Sequence, residues 1–108
     1  MQVKWNKKAL TELDKAIAYC ILVFGKQVTI QFYGRVMEFN ELLVHNPEIG
    51  KAEPLLEKYQ LNFRSIVIHE HFKLIYYIKS QTIHIADLWD VRREPQSLVD
   101  RIKNKKKG

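Results

Sequence analysis

The fold of this chain turns on residues 62–90, NFRSIVIHEHFKLIYYIKSQTIHIADLWD. Isoleucine, valine, tyrosine and phenylalanine crowd this stretch. Apolar and polar positions alternate in it with a period of two, the side-chain period of a β-strand. Two polar breaks, EH at 70–71 and KSQ at 79–81, cut it into three runs. The spacing therefore predicts a three-stranded antiparallel meander. With Glu70 and His71 as the first loop, His69 would face Phe72. Register would then continue through Ile68 with Lys73, Ile66 with Ile75 and Arg64 with Tyr77. That register puts Arg64, Lys73 and Tyr77 on one face. Phe63, Val67, Phe72, Leu74, Tyr76 and Ile78, the more apolar set, would meet the rest of the protein on the other. A slip of one residue would separate Arg64 from Lys73.

Working outward, the period changes to that of a helix. Leu10, Leu13, Ile17, Cys20 or Ile21, and Phe24 recur at three- and four-residue spacing between Asn6, a capping residue, and Gly25, a helix-closing one. A second helical stripe follows with Val28, Phe32, Val36, Phe39 and Leu43, ended by Asn46 and Pro47. So tight a link predicts an antiparallel helical hairpin. Gly34 weakens the second helix by about 1 kcal/mol and marks a place where another backbone could approach. QVKW at 2–5 is long enough only for an edge strand, residues 47–61 read as a turn and loop, and PQSLVDRI at 95–102 reads as a short closing helix. The fold class expected is α+β: an N-terminal helical hairpin packed on a small twisted antiparallel β-sheet, with a short C-terminal helix.

The chain has 108 residues, the size of one domain, read as residues 1–102 with a basic tail at 103–108. At 46% hydrophobic and 28% charged it has the composition of a folded protein rather than a disordered or coiled-coil one. Its net charge of +6 is uneven, because Lys103, Lys105, Lys106 and Lys107 supply four of the positive charges. A basic tail on a mildly basic body suits an anionic partner, nucleic acid or acidic protein, and equally a solvated end. The lone Cys20 excludes an intrachain disulfide, and four scattered histidines lack ligand spacing, so neither a metal nor another cofactor is expected. The longest apolar run, residues 16–24, is too short to span a membrane, and the N-terminus lacks the apolar region of a secretory signal. The expected location is the cytoplasm.

The candidate functional residues gather where the last strand ends, in DLWDVRREP at 87–95. Asp90, Arg92 and Arg93 stand there together, and arginines on a rigid strand end can grip phosphate in bidentate geometry. They can equally pair with Asp90 and Glu94 to steady the turn. Arg64 can bind the loop carboxylates Glu53 or Glu57, and Lys73 can be an edge residue that discourages aggregation. Trp89 and Tyr77 can stack on a base or simply fill the sheet surface.

The order of these pieces resembles the RelE/ParE toxin superfamily of bacterial type II toxin–antitoxin systems, of which plasmid stabilisation proteins are members. The resemblance rests on the hairpin, NPEIG after the second helix, FRSIVIHEHFKLIYYI and DLWDVRREP, and it runs from Val3 to about Leu98. It implies a toxin neutralised by a cognate antitoxin. ParE-like relatives inhibit DNA gyrase, whereas RelE-like relatives are metal-independent mRNA endoribonucleases, or mRNA interferases, acting at the ribosome. A member that binds only its antitoxin is the third option. On the nuclease reading Arg64, Lys73 and Arg93 are the catalytic candidates, binding phosphate and stabilising the transition state. Tyr77, Trp89, Asp90 and Arg92 would then line the substrate or partner site. The pattern departs at Ile66, Trp89, and Leu98 or Val99, where such nucleases carry a lysine, a histidine and a tyrosine. The strand pattern leans towards ParE.

Overall fold

The structure, a computed structural model, describes residues 1–69 and 71–107, with side chains to residue 103. The elements in chain order are β1 (Gln2–Trp5), α1 (Lys7–His45), β2 (Lys51–Ala52), a 3-10 turn (Pro54–Leu56), β3 (Arg64–His69), β4 (Phe72–Lys79), β5 (Thr82–Asp90) and α2 (Pro95–Lys107).

The hairpin forms as the sequence implies. Asn6 caps α1 by accepting from the Ala9 amide at 2.9 Å. At Gly25 the backbone leaves the helix, with φ 86° and ψ 175°, a conformation glycine adopts without steric cost. A straight helix of 39 residues would run about 58 Å, beyond the longest molecular dimension of 40 Å. Instead the second arm folds back along the first. The Trp5 indole donates to Asn40 Oδ1 at 2.9 Å, and the N-terminal ammonium donates to the Val44 carbonyl at 3.2 Å. Nothing lies within 4 Å of where a Cβ on Gly34 would sit, so no backbone approaches there, contrary to the expectation.

The sheet order is β1-β5-β4-β3-β2. The meander is antiparallel as expected, but the sheet as a whole is mixed, because β1 runs parallel to β5 with Val3 beside Ile83. α1 supplies the crossover that a parallel pair needs. Residues 51–52, expected in a loop, add a two-residue edge strand to β3. Ser80 and Gln81, at φ 52° and 60°, close β4 onto β5 in a two-residue turn with both central residues left-handed.

The register between β3 and β4 corrects the one read from the sequence. His69 does face Phe72, but Ile68 is an extra residue on β3, so Val67 pairs with Lys73, Ile66 with Leu74 and Arg64 with Tyr76. The loop residue Glu70 lies outside the described residues. The bulge has a packing cause. It places Ile66 and the fully buried Ile68 with Leu74 and Tyr76 beneath the hairpin, where the expected register would have turned both isoleucines the other way. Burying such a side chain contributes about 1.5–3 kcal/mol. Phe63 goes instead to the second core, with Leu56, Ile75, Trp89, Leu98 and Ile102 under α2, and Val67 is 63% exposed. α2 does not stop before the lysines. It continues to Lys107, in keeping with the good helix propensity of lysine, and Gly108 lies outside the described residues.

Candidate functional site

The side chains at the end of β5 are fixed by one another. Asp90 Oδ1 accepts from the Arg92 amide at 2.9 Å and from Arg92 Nε at 3.0 Å, while Oδ2 accepts from Arg92 Nη2 at 2.8 Å. The side-chain bonds from Arg92 hold the Asp90 carboxyl below the usual range against partial burial, helped by the Arg92 amide and by the Arg92 and His71 charges. Arg93 points elsewhere. Its guanidinium carbon sits 4.8 Å from the centroid of Trp89, and its Nη1 lies 3.5 Å from Glu12 Oε1 on the first arm of α1. Two adjacent arginines thus diverge at the turn, one closing it and the other tying it to the hairpin.

Glu12 is a hub. Besides Arg93 it meets Lys15 Nζ at 3.3 Å and Arg101 Nη2 at 3.8 Å. Arg101, on α2, makes a bidentate bond to Asp87, with Nε to Oδ2 at 2.7 Å and Nη2 to Oδ1 at 2.9 Å. Asp87 is fully buried, so this pair pins α2 across the sheet and joins three elements through two arginines and two carboxylates. Burial alone would lower the Arg101 pKa. The bond to Asp87 and the charges of Asp87 and Glu12 together outweigh it and raise the value. The sequence reading missed this network. Its signal was an acid at 87 amid an apolar strand, since a buried carboxylate needs a cation.

The other cations are similarly engaged. Lys73 Nζ pairs with Glu53 Oε1 in a very short contact. Glu53 is 2% exposed and also accepts from the Leu55 amide at 3.1 Å. Burial pushes the Glu53 carboxyl up, but bonds from Lys73, Leu55 and Ser65 with the Lys73 charge prevail and hold it low. Arg64 Nη1 donates to the Gly50 carbonyl at 2.7 Å and to the Glu48 carbonyl at 3.3 Å. Tyr76, fully buried beside it, accepts from the Gly50 amide at 2.8 Å and donates to the Pro47 carbonyl at 2.9 Å. Any side chain at Gly50 would collide with the Tyr76 hydroxyl at 2.7 Å. The NPEIG segment is therefore a clamped loop, and Arg64 is one of its clamps.

Arg64 and Lys73 lie on opposite faces of the sheet, because the register places Arg64 with Tyr76 and Lys73 with Val67 and Trp89. Tyr77 shares the face of Lys73, stacked on His84 with ring centroids 4.9 Å apart and edge-on to Phe63. Trp89 is 2% exposed and belongs to the core beneath α2. The structure brings Lys73, Tyr77 and Trp89 to one face and Asp90, Arg92 and Arg93 to one strand end. It does not gather Arg64, Lys73 and Arg93 at one point. Among the described residues no cluster of histidine, cysteine and carboxylate side chains could hold a metal.

With a helical hairpin on a five-stranded mixed sheet, a clamped loop after the hairpin and a closing helix, the chain has the RelE/ParE fold. Residues 3–95 match the family model described as ParE toxin of type II toxin-antitoxin system, parDE, and the chain belongs to that family. The fold is similar to a solved chain of the chromosomal ParDE TA system from P. aeruginosa, with a TM-score of 0.68 and 20% identity, covering 84% of this chain and 96% of that one. A 78-residue stretch is 35% identical to part of a protein from Eimeria tenella named DNA-directed RNA polymerase subunit beta. That match covers 72% of this chain but spans only 7% of the length of the Eimeria protein.

Proposed function

We propose that this ParE-family toxin acts by binding a protein target, DNA gyrase, and not by cutting RNA. The observation that carries the reading is the engagement of the candidate cations. Arg64 is bound to loop carbonyls on one face, Lys73 is neutralised by a buried carboxylate on the other, and Arg93 lies between Trp89 and Glu12. A phosphoryl-transfer site needs preorganised positive charge aimed at one developing dianion. Here each charge is answered from within the fold. The positions where nucleases of the superfamily carry a lysine, a histidine and a tyrosine hold Ile66, Trp89 and Leu98 or Val99, none of which transfers a proton at neutral pH.

On this reading the surface around Asp90, Arg92 and Arg93 is a contact for a macromolecule, and the partners are the cognate antitoxin and gyrase in the cytoplasm. The test is a supercoiling assay. Purified protein titrated into gyrase with relaxed plasmid should abolish supercoiling, and preincubation with antitoxin should restore it. Normal supercoiling at saturating protein would overturn the reading.

A further inference from the structure

The second arm of α1 has an outer side that the fold does not use. Thr29, Phe32, Val36 and Leu43 turn inward and are buried. Lys26, Ile30, Tyr33, Gly34, Met37 and Glu41 lie on the opposite side, at the three- and four-residue spacing of one helical stripe. Ile30 is 62% exposed, and Tyr33 and Met37 are each 45% exposed. The stripe shares no residue with the Glu12 network or with the end of β5. Exposed apolar residues gathered on one face mark a surface that another molecule covers.

The stripe is its own mirror in sequence. Reflected about the midpoint between residues 33 and 34, Lys26 exchanges with Glu41, Ile30 with Met37, and Tyr33 with Gly34. Each exchange joins complementary partners: a cation and an anion, two aliphatic side chains, and a large ring with a residue that has none. Around Gly34 there is room for the ring. Nothing lies within 4 Å of where its Cβ would sit, and an open hollow of about 610 Å³ beside it is lined by Met37, Glu41, Leu42 and His45, among others. Charge is divided along the arm in the same sense. Residues 15–37 contain no carboxylate, and residues 36–50 contain no lysine or arginine. Among the described residues Lys26 is in no ion pair, and Glu41 meets only His45 Nε2, at 4.0 Å.

We infer that this stripe is a self-association surface, on which two copies of the chain pack their second arms antiparallel about a two-fold axis at Tyr33 and Gly34. Antiparallel packing sets the basic half of each arm against the acidic half of the other, with Lys26 of each copy facing Glu41 of the other. A two-fold contact uses the same patch on both copies, and a palindromic stripe meets that requirement. Ile30 and Met37 are covered between the ion pairs, and each Tyr33 enters the hollow beside the other copy's Gly34. Glu38 and Glu41 decide against an anionic lipid surface as the occupant. The contact is about 22 Å of one helix pair, which belongs with the small, transient class of interfaces.

The pairing involves neither gyrase nor antitoxin, so its test is separate from the supercoiling assay. It is sedimentation velocity of the purified chain over a concentration series, with circular dichroism to confirm that each variant is folded. The chain should pass from monomer to dimer as concentration rises. Lys26→Glu and Glu41→Lys each turn two attractive pairs into two repulsive ones, and each should raise the dimer dissociation constant about tenfold. The double variant, Lys26→Glu with Glu41→Lys, exchanges the charges across the axis and should restore association. An equimolar mixture of the two single variants should associate too. Gly34→Met fills the space meant for Tyr33 and should abolish the dimer, while the open surroundings of Gly34 leave the monomer's own packing intact. A chain that stays monomeric at every concentration would overturn the inference, whether an antitoxin or a lipid surface covers the stripe instead. So would a dimer indifferent to Gly34→Met, or a double variant no better than the single ones.

Discussion

Replacing Asp87 with alanine should destabilise the protein by about 3 kcal/mol. Removing one partner of a buried pair typically costs about 3–5 kcal/mol, because the remaining charge stays desolvated. Asp87 is fully buried and both its oxygens are bonded to Arg101, which places the substitution in that class. The lower end applies because the Arg101 side chain keeps 16% exposure and Glu12 remains 3.8 Å away. A domain of this size loses about 4 °C in Tm per kcal/mol, so thermal melts followed by circular dichroism should shift down by roughly 12 °C. The double variant Asp87→Leu with Arg101→Met should recover most of the loss, since apolar residues of similar volume replace a buried pair at little cost. A drop of less than about 1 kcal/mol for Asp87→Ala, or a double variant no better than the single one, would refute the argument that this pair pins α2.

Gly34→Ala should raise stability by about 0.5–1 kcal/mol, because the position is helical with open space around the added methyl; chemical denaturation reads it, and a loss would mean that the helix needs glycine there. Gly25→Ala should do the opposite, by about 1–2 kcal/mol, since φ is 86° at the reversal. Stability should also fall in acid. The Glu53 and Asp90 carboxyls are held low in the folded state, so their contribution is complete above the unfolded values near about pH 4 and is lost as pH falls through the lower folded values. Lys73→Met removes a bond and a charge that help hold Glu53 low, so the part of the acid-side slope that comes from Glu53 should shrink in urea titrations from about pH 6 to 3; an unchanged slope would refute the pairing.

Much of the architecture was legible because it follows from local rules. Alternation marked β3 to β5, Asn6 and Gly25 bounded the first arm of the hairpin, and Pro95 opened α2. What escaped depends on contacts between distant residues. Alternation carries no strand direction, so the parallel pairing of β1 with β5 could not be read from QVKW, and two residues are too few to announce β2. The bulge at Ile68 depends on the hairpin core, which rewards turning Ile66 and Ile68 inward, and it carried Arg64 to the face opposite Lys73. The site was half legible. The cluster at the end of β5 was visible as adjacent letters, but adjacency gave no sign that Arg92 folds onto Asp90 while Arg93 reaches Glu12, 81 residues away in the chain. Asp87 and Glu53 are acids near apolar runs, a cue to buried carboxylates that the sequence reading passed over. Their partners, Arg101 and Lys73, stand at no characteristic spacing.

The central claim is that the cations of this toxin serve its fold and its protein contacts and do not form a phosphate-cleaving site. Primer extension on an mRNA translated in vitro, with and without the purified protein, tests it most directly. The transcript should show the same 5′ ends in both reactions. New 5′ ends within codons, lost when Arg93→Ala is used instead, would contradict the claim and make the arginine a catalytic residue of a ribosome-dependent nuclease.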